Sequence, residues 1–320
     1  MKKQPLISII LPFRNEIKEL GETLQSFIDQ TYKNKEVILV DSDSNDGSTE
    51  IAKAFAKKYK WIKYFNNPPK PGKWATEYYI DAITSAKGEV IYMADANGKI
   101  MPDYLELTVP LIKGDVAGVV GKVIIWPSNK WIPRFRDVLW TLRYNNTPRM
   151  QREINAGGIL PRTFSRAAYD KVGGFNPQAG WAIDTFFNKA LLKHSYKIIY
   201  EPKAEWWHKW RDDPKILIRY SYKFGKLNHD LIRTEKKQLL KIAFFLSPVV
   251  FLIIGFFNSL FFLYLIVHPA LIMIKYIKLF IKARGHKNRY YVLLGPIISY
   301  MQNIPYALGF LRSLIMPKRR

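Results

Sequence analysis

Two short polar runs carry the residue types that handle cations, phosphates and nucleotide hydroxyls. The first is Asp41-Ser42-Asp43-Ser44-Asn45-Asp46-Gly47-Ser48-Thr49. Asp, Ser and Asn satisfy free backbone N–H groups, so the run suits a turn and a helix N-cap. A carboxylate at its head, Asp41, is equally suited to accept hydrogen bonds from a base or ribose. The second run is Asp95-Ala96-Asn97. Oxygen-bearing side chains at i and i+2 can aim at one cation and at the phosphates that it bridges, and a hard dication is the natural partner of a diphosphate. A plain turn would use the same residues. Asn155-Ala156-Gly157-Gly158 and Val172-Gly173-Gly174-Phe175 either bring backbone close to a ligand or simply turn the chain. Trp206-Trp207-His208-Lys209-Trp210-Arg211 sets an imidazole and a guanidinium, the latter suited to bidentate phosphate contact, among three indoles.

The elements around these runs alternate. Ile7 to Leu11 is a β-branched, continuously apolar run, as in a buried parallel strand. Ile17 to Gln30 has helical spacing, with Leu20, Leu24, Phe27 and Ile28 on one face. Glu36 to Val40 predicts a second strand ending at Asp41, and Ser48 to Tyr59 a helix. Ile62 to Phe65 predicts a strand, Thr76 to Ala86 a helix, and Val90 to Ala94 a strand ending at Asp95. This alternation predicts an α/β fold with a mostly parallel sheet flanked by helices. Ligands of such sheets bind beyond the carboxyl ends of the strands, where both polar runs fall.

The chain has 320 residues, no cysteine and a net charge of +24. The absence of cysteine excludes disulfide scaffolds, zinc–thiolate sites and cysteine nucleophiles. From Lys236 onward there are 13 basic residues and no acidic one, whereas the first 235 residues carry 37 basic against 26 acidic. The charged tail is also the most apolar part. Leu239 to Ile274 is long enough for two helices that cross a bilayer as a hairpin, turning near Asn258-Ser259. Lys275 to Arg289 is basic and is expected on the cytoplasmic side. A third apolar segment, Tyr290 to Met316, contains Pro296, Gln302, Asn303 and Pro305 and suits an interfacial position better than a crossing. Arg219 to Lys226 reads as a basic amphipathic interfacial helix. The expected organisation is a soluble domain over 1–235 and a membrane anchor over 236–320.

The ordered motifs Pro12-Phe13-Arg14-Asn15-Glu16, Val40-Asp41, Asp46-Gly47-Ser48, Gly72-Lys73, Lys87-Gly88-Glu89-Val90 and Asp95-Ala96-Asn97 closely resemble those of the family 2 inverting glycosyltransferases, which have the GT-A fold. The resemblance implies a nucleotide-sugar site containing Pro12, Asn15, Glu16, Asp41, Lys73, Asp95, Arg162, His208 and Arg211, with Asp41 on the base. It implies a Mg²⁺ or Mn²⁺ ion at Asp95 and Asn97, where the amide of Asn97 replaces the usual second carboxylate. In the family an acidic pair supplies the general base as its second member. Here that pair reads Ile183-Asp184, so the resemblance makes Asp184 the catalytic base. One base suffices for direct transfer with inversion, because the leaving diphosphate is stabilised electrostatically.

The expected activity is transfer from a UDP- or GDP-sugar to a glycan or lipid-linked sugar hydroxyl. It would take place at the cytoplasmic face of the cell membrane, in a multi-pass protein. A polyprenyl-phosphate monosaccharide synthase is the nearest alternative, but a phosphate acceptor is already an anion and needs no base. An inactive nucleotide-sugar-binding scaffold is the third reading, prompted by Asn97 and Ile183. No nucleic acid partner is expected, because the basic excess clusters beside apolar segments. A nicotinamide-dependent dehydrogenase would need a Gly-x-Gly-x-x-Gly after the first strand, which is missing.

Overall fold

The computed structural model describes residues 4–68, 75–145, 160–177, 183–210, 212–227 and 236–315. Its chain divides into two compact units, Met1–Ile124 with Asn146–Lys209, and Ile125–Asn145 with Trp210–Arg320.

The first unit is built on one eight-stranded sheet. Its strands are β1 (Ile7–Phe13), β2 (Lys35–Asp41), β3 (Ile62–Asn66), β4 (Val90–Met93), β5 (Gly98–Ile100), β6 (Val116–Ile125, whose last residue falls in the second unit), β7 (Thr163–Ser165) and β8 (Lys197–His208). The order is β3-β2-β1-β4-β7-β6-β8-β5. The four leading strands are parallel, with Pro12 opposite Val40 and Phe13 opposite Asp41. β7 then runs antiparallel to β4 and to β6, and β5 antiparallel to β8. β1, β2 and β4 are buried along almost their full length, as the unbroken apolar runs require. Helix Leu20–Ile28 turns Leu20, Leu24 and Phe27 onto that core, together with Tyr104 and Trp206. The expected strands and helices over residues 7–94 are all present, each within a few residues of its expected bounds.

The second unit is helical. Helices Lys236–Gly255 and Tyr264–Lys282 are joined by the short 3-10 helix Ser259–Leu263, which Asn258 caps by accepting from the Leu260 N–H at 3.1 Å. The hairpin therefore turns where the sequence placed it. Gln238–Gly255 and Ser259–Lys282 are long and apolar enough to cross a membrane. Many of their large apolar side chains point outward, among them Leu240 at 69% and Ile266 at 70% exposed. Helix Gly295–Ile315 is long enough but contains Pro305 and does not reach the same apolarity.

The domain boundary differs from position 235. Helix Trp131–Asn145 and helix Pro214–Leu227 belong with the C-terminal segment. The first buries Phe135 and Val138 against Ile272, Tyr276 and Ala283. The second meets helix Gly295–Ile315 backbone to backbone: a methyl group on Gly225 would strike the Tyr306 carbonyl, and one on Gly309 the Tyr222 carbonyl. Small residues permit that approach between helices.

Candidate active site

The carboxyl ends of β1, β2 and β4 lie side by side; β2 and β4 lead into the two polar runs, and β1 into Arg14-Asn15-Glu16. Beyond β1 and β2 the two loops are clipped together. Asn15, in left-handed conformation with φ 55°, donates its N–H to Ser44 Oγ at 3.0 Å and accepts from the Asn45 N–H at 2.9 Å. The Glu16 N–H donates to Ser48 Oγ at 2.8 Å, and the Ile17 N–H to Asp46 Oδ2 at 3.1 Å. Gly47 has φ 99°, and a methyl group there would press on Ile17.

Asp41 is fully buried at the centre of this arrangement. Its Oδ1 accepts from the Ser44 N–H at 2.9 Å and the Ser44 hydroxyl at 2.7 Å. Its Oδ2 accepts from the Thr49 hydroxyl and from Tyr64 Oη at 3.1 Å. A carboxylate offers about four acceptor positions, and all are filled. In this arrangement Asp41 holds its own loop. Asp43, exposed and left-handed at φ 61°, is the neighbouring carboxylate that faces outward.

Asp95 follows β4 and meets residues brought in by the antiparallel strands. The Met93 N–H donates to the Arg162 carbonyl at 2.8 Å, so Arg162 enters β7 directly beside the end of β4. Its guanidinium takes both oxygens of Asp95, Nη1 to Oδ1 at 2.9 Å and Nη2 to Oδ2, and stacks over Trp206 at 4.7 Å. Tyr79 Oη donates to the Ala94 carbonyl at 3.1 Å and approaches Asp95 Oδ1 at 3.5 Å. His208 Nδ1 lies 3.6 Å from Asp95 Oδ2, because His208 at the end of β8 pairs with Gly98 just past the Asp95 turn. Burial alone would raise the Asp95 carboxyl, but Arg162 and then His208 outweigh it and hold its pKa below the ordinary value. Asn97 donates Nδ2 to the Lys209 carbonyl at 3.0 Å, which turns its amide oxygen away from β8.

Asp184 lies in the first turn of helix Ile183–Lys193. One turn on, Phe187 packs into a cluster with Phe164, Tyr169 and Phe175. Phe164 is in β7, two residues after Arg162, so the cluster ties the Asp184 helix to the strand that carries Arg162. Gly173 and Gly174, at φ 84° and 71°, turn Phe175 back into this cluster, where it meets Tyr169 at 4.9 Å. Their role is the turn. Burial pushes the Asp184 carboxyl up, against hydrogen bonding from Thr185 and the charge of Arg162. Arg162 thus acts on Asp95 and on Asp184.

Lys73, Arg211, Trp181 and Asn155-Ala156-Gly157-Gly158 lie outside the described residues. Pro12 is half-buried near the end of β1, between the buried Leu11 and Phe13. Tyr79 and Trp206 went unassigned in the sequence. Trp206 reaches the site through pairing between distant strands and Tyr79 from helix Ala75–Ser85, arrangements for which a single sequence carries no local signal.

Among the described residues no three His, Cys, Asp or Glu side chains converge as a metal cage. The donors near Asp95 are its own carboxylate and the His208 ring, and Asn97 follows two residues on in the same turn. Arg162 occupies two of the acceptor positions of Asp95 and leaves two. This set fits a Mg²⁺ or Mn²⁺ ion that draws its remaining ligands from a diphosphate and water.

The glycosyl transferase family 2 pattern matches residues 8–171, just over half of the chain. The chain belongs to that family. A probable glycosyltransferase, YdaM of Bacillus subtilis, is 26% identical over 76% of this chain and 60% of its own length. Cholesterol galactosyltransferase of Borreliella burgdorferi is 32% identical over 36% of this chain and 31% of its own length. The chain therefore spans less than two thirds of these relatives. A Methanococcus voltae relative, named as a dolichyl N-acetyl-alpha-D-glucosaminyl phosphate 3-beta-D-2,3-diacetamido-2,3-dideoxy-beta-D-glucuronosyltransferase, is 23% identical over 97% of both chains. In fold, the chain matches the mannosyltransferase PcManGT of Pyrobaculum calidifontis, solved with GDP-Man and Mn²⁺. The TM-score is 0.62 at 17% identity, covering 99% of this chain and 89% of that one. The sheet and its flanking helices are of the GT-A type.

Proposed function

We propose that this protein transfers a sugar, with inversion, from a nucleotide-diphosphate sugar to a hydroxyl of a lipid-linked sugar at the cytoplasmic membrane face. The observation that carries the reading is Asp184. It is a carboxyl raised by burial, on a helix anchored to the strand that delivers Arg162 to Asp95. A raised carboxyl is suited to take a proton near neutral pH. A phosphate acceptor would have no proton to give, so a placed base favours a sugar hydroxyl.

In the reaction the acceptor oxygen bonds to the anomeric carbon as the bond from that carbon to the diphosphate oxygen breaks. The acceptor proton passes to Asp184, and the nucleoside diphosphate leaves. When bound, the divalent ion supplies charge neutralisation for the leaving diphosphate. Asp95, Asn97 and His208 would hold it. Arg162 keeps Asp95 ionised and oriented. Asp41 acts on the nucleotide through the loop it holds, and the base meets that loop at its outer face, beside Asp43. Pro12, Asn15 and Glu16 shape the adjoining wall, and Lys73 and Arg211 supply further positive charge to the diphosphate.

Support for the acceptor class comes from the Methanococcus voltae relative, which matches over its whole length and is named for a dolichyl-linked sugar. Support for the location comes from the two outwardly apolar helices and the basic stretch after them. The test is a donor screen with membranes containing the protein, followed by mass analysis of lipid extracts. A hexose- or hexosamine-sized mass gain on a lipid-linked sugar is expected. Release of UDP or GDP with no such product, or an Asp184→Asn variant as active as wild type, would refute the reading.

A further inference from the structure

Helix Trp131–Asn145 carries three adjacent charged side chains, of which two are fully engaged. Arg134 donates to the Ser128 carbonyl at 3.1 Å, to Asn129 Oδ1 at 2.9 Å and to Tyr291 Oη at 2.6 Å. Asp137 accepts from Asn288 Nδ2 at 2.9 Å and lies 3.6 Å from His286 Nε2. Arg136 is the exception. Its Nε is buried without a hydrogen-bond partner, and its guanidinium makes no ion pair among the described residues. Instead it lies over the Trp210 indole at 4.8 Å, with Trp140 tilted against the same indole at 6.3 Å.

This is an unusual environment for a guanidinium. Arginine does not shed its proton inside proteins, so burial leaves a permanent charge. The guanidinium is half-buried with its Nε enclosed, and a charge in such a place without a counter-charge is unfavourable, so natural structures pair such groups. The aromatic face compensates only in part. An anion is the missing partner.

The surroundings say which anion. Phe135, next to Arg136, packs on Tyr276 at 5.9 Å, near the end of the second long apolar helix. That end carries Lys275, Lys278 and Lys282, followed by Arg284, and the segment from Lys236 onward offers no carboxylate. Trp131, Trp140, Trp210, Tyr276 and Tyr291 gather in this unit, as aromatic side chains do at the headgroup level of a bilayer. The anion that reaches this level attached to an apolar chain is a lipid phosphate.

We propose that Arg136, stacked on Trp210, is the binding subsite for a lipid-borne phosphate ester, with the phosphate of the acceptor's polyprenyl carrier as the occupant. The identity of that occupant rests on the lipid-linked acceptor proposed above. Arg136 is a binding residue and takes no part in proton transfer.

The test uses the full chain in phosphatidylcholine nanodiscs. Tryptophan fluorescence follows titration with polyprenyl phosphate, with polyprenol of the same length, and with phosphatidylglycerol. Polyprenyl phosphate is expected to bind well and polyprenol poorly. Arg136→Gln should weaken polyprenyl phosphate on the order of 30-fold or more. It should leave the Kd for UDP or GDP with Mn²⁺ unchanged. Arg136→Lys keeps the charge but loses the planar fork, and it is read instead should the Gln variant not fold. It too should lose most of the affinity. Phosphatidylglycerol competing as well as polyprenyl phosphate would assign the subsite to bulk headgroups. Equal affinity of wild type and folded variants for every phosphate lipid would overturn the proposal. The proposed reaction fails separately. If no lipid-linked sugar is elongated while the Arg136 effect persists, the reaction is refuted and the subsite stands.

Discussion

Arg162 grips Asp95 with both arms of its guanidinium while resting on the Trp206 ring. The pair joins the end of a parallel strand to the start of an antiparallel one, so it fixes both the charge and the direction of the Asp95 carboxylate. Arg162→Ala should lower kcat by about 10² to 10³, as removal of a single electrostatic contact in an active site does. Arg162→Lys should recover little, because an ammonium cannot span both oxygens. A steady-state comparison of the three proteins checks this.

Asp184 is held where burial raises its carboxyl. As a base it must be ionised, so activity should fall on the acid side at a pH above that of an ordinary aspartate. A group whose folded pKa lies above its unfolded value stabilises only at low pH, and that contribution is lost as pH rises through the folded value. At neutral pH the ionised Asp184 therefore costs stability. Asp184→Asn should cut kcat by about 10² to 10⁴ and raise Tm. Reduced activity with a lower Tm would mean that the helix had been disturbed.

The four hydrogen bonds to Asp41 make it a structural post. Asp41→Ala leaves half-buried donors on Ser44, Thr49 and Tyr64 without this acceptor, which should cost about 1–3 kcal/mol of stability. Donor KM should rise with the loosened loop, while Asp43→Ala should raise donor KM at unchanged Tm. Isothermal titration with UDP and GDP separates the two.

Chelation is the check on the ion. EDTA should abolish transfer, and Mn²⁺ or Mg²⁺ should restore it. Because Asn97 offers a neutral oxygen, Asn97→Asp should tighten the metal, seen as a lower Mn²⁺ concentration for half-maximal rate. Full activity in EDTA would remove the ion and its proposed ligands together.

Gly225 and Gly309 predict the weakest point of the helical unit. A methyl group at either would overlap a backbone carbonyl of the opposite helix. Gly309→Ala should destabilise by about 1–3 kcal/mol, as overpacking does. Thermal unfolding in detergent is the measurement.

The first half of the fold is legible because its strands are buried on both faces. Runs such as Ile7 to Leu11 and Glu36 to Val40 then have no other use. Sequence position also places Asp41 and Asp95 at strand ends, yet it cannot say which way a carboxylate points. Asp41 turns inward and Asp43 outward, a difference set by one left-handed residue. Arg162, Trp206 and His208 converge on Asp95 through strand pairings spanning many residues, and no local pattern encodes those. The compact units also divide the chain in a way that position 235 does not mark. Helix Trp131–Asn145 mixes charged and apolar residues like a surface helix, and only its packing on Ile272 and Tyr276 reveals its allegiance.

Pro248 has no N–H for the Phe244 carbonyl one turn before it, and Ser247 Oγ at 2.6 Å and His268 Nε2 at 2.9 Å take its place. His268 Nδ1 in turn meets Tyr300 Oη at 2.6 Å. One polar ring on the second long helix thus depends on partners from the first and from the last. In lipid such a ring is tolerated only when both are present. The three helices are thus interlocked through one imidazole, and a chain without the last helix would leave His268 Nδ1 without Tyr300.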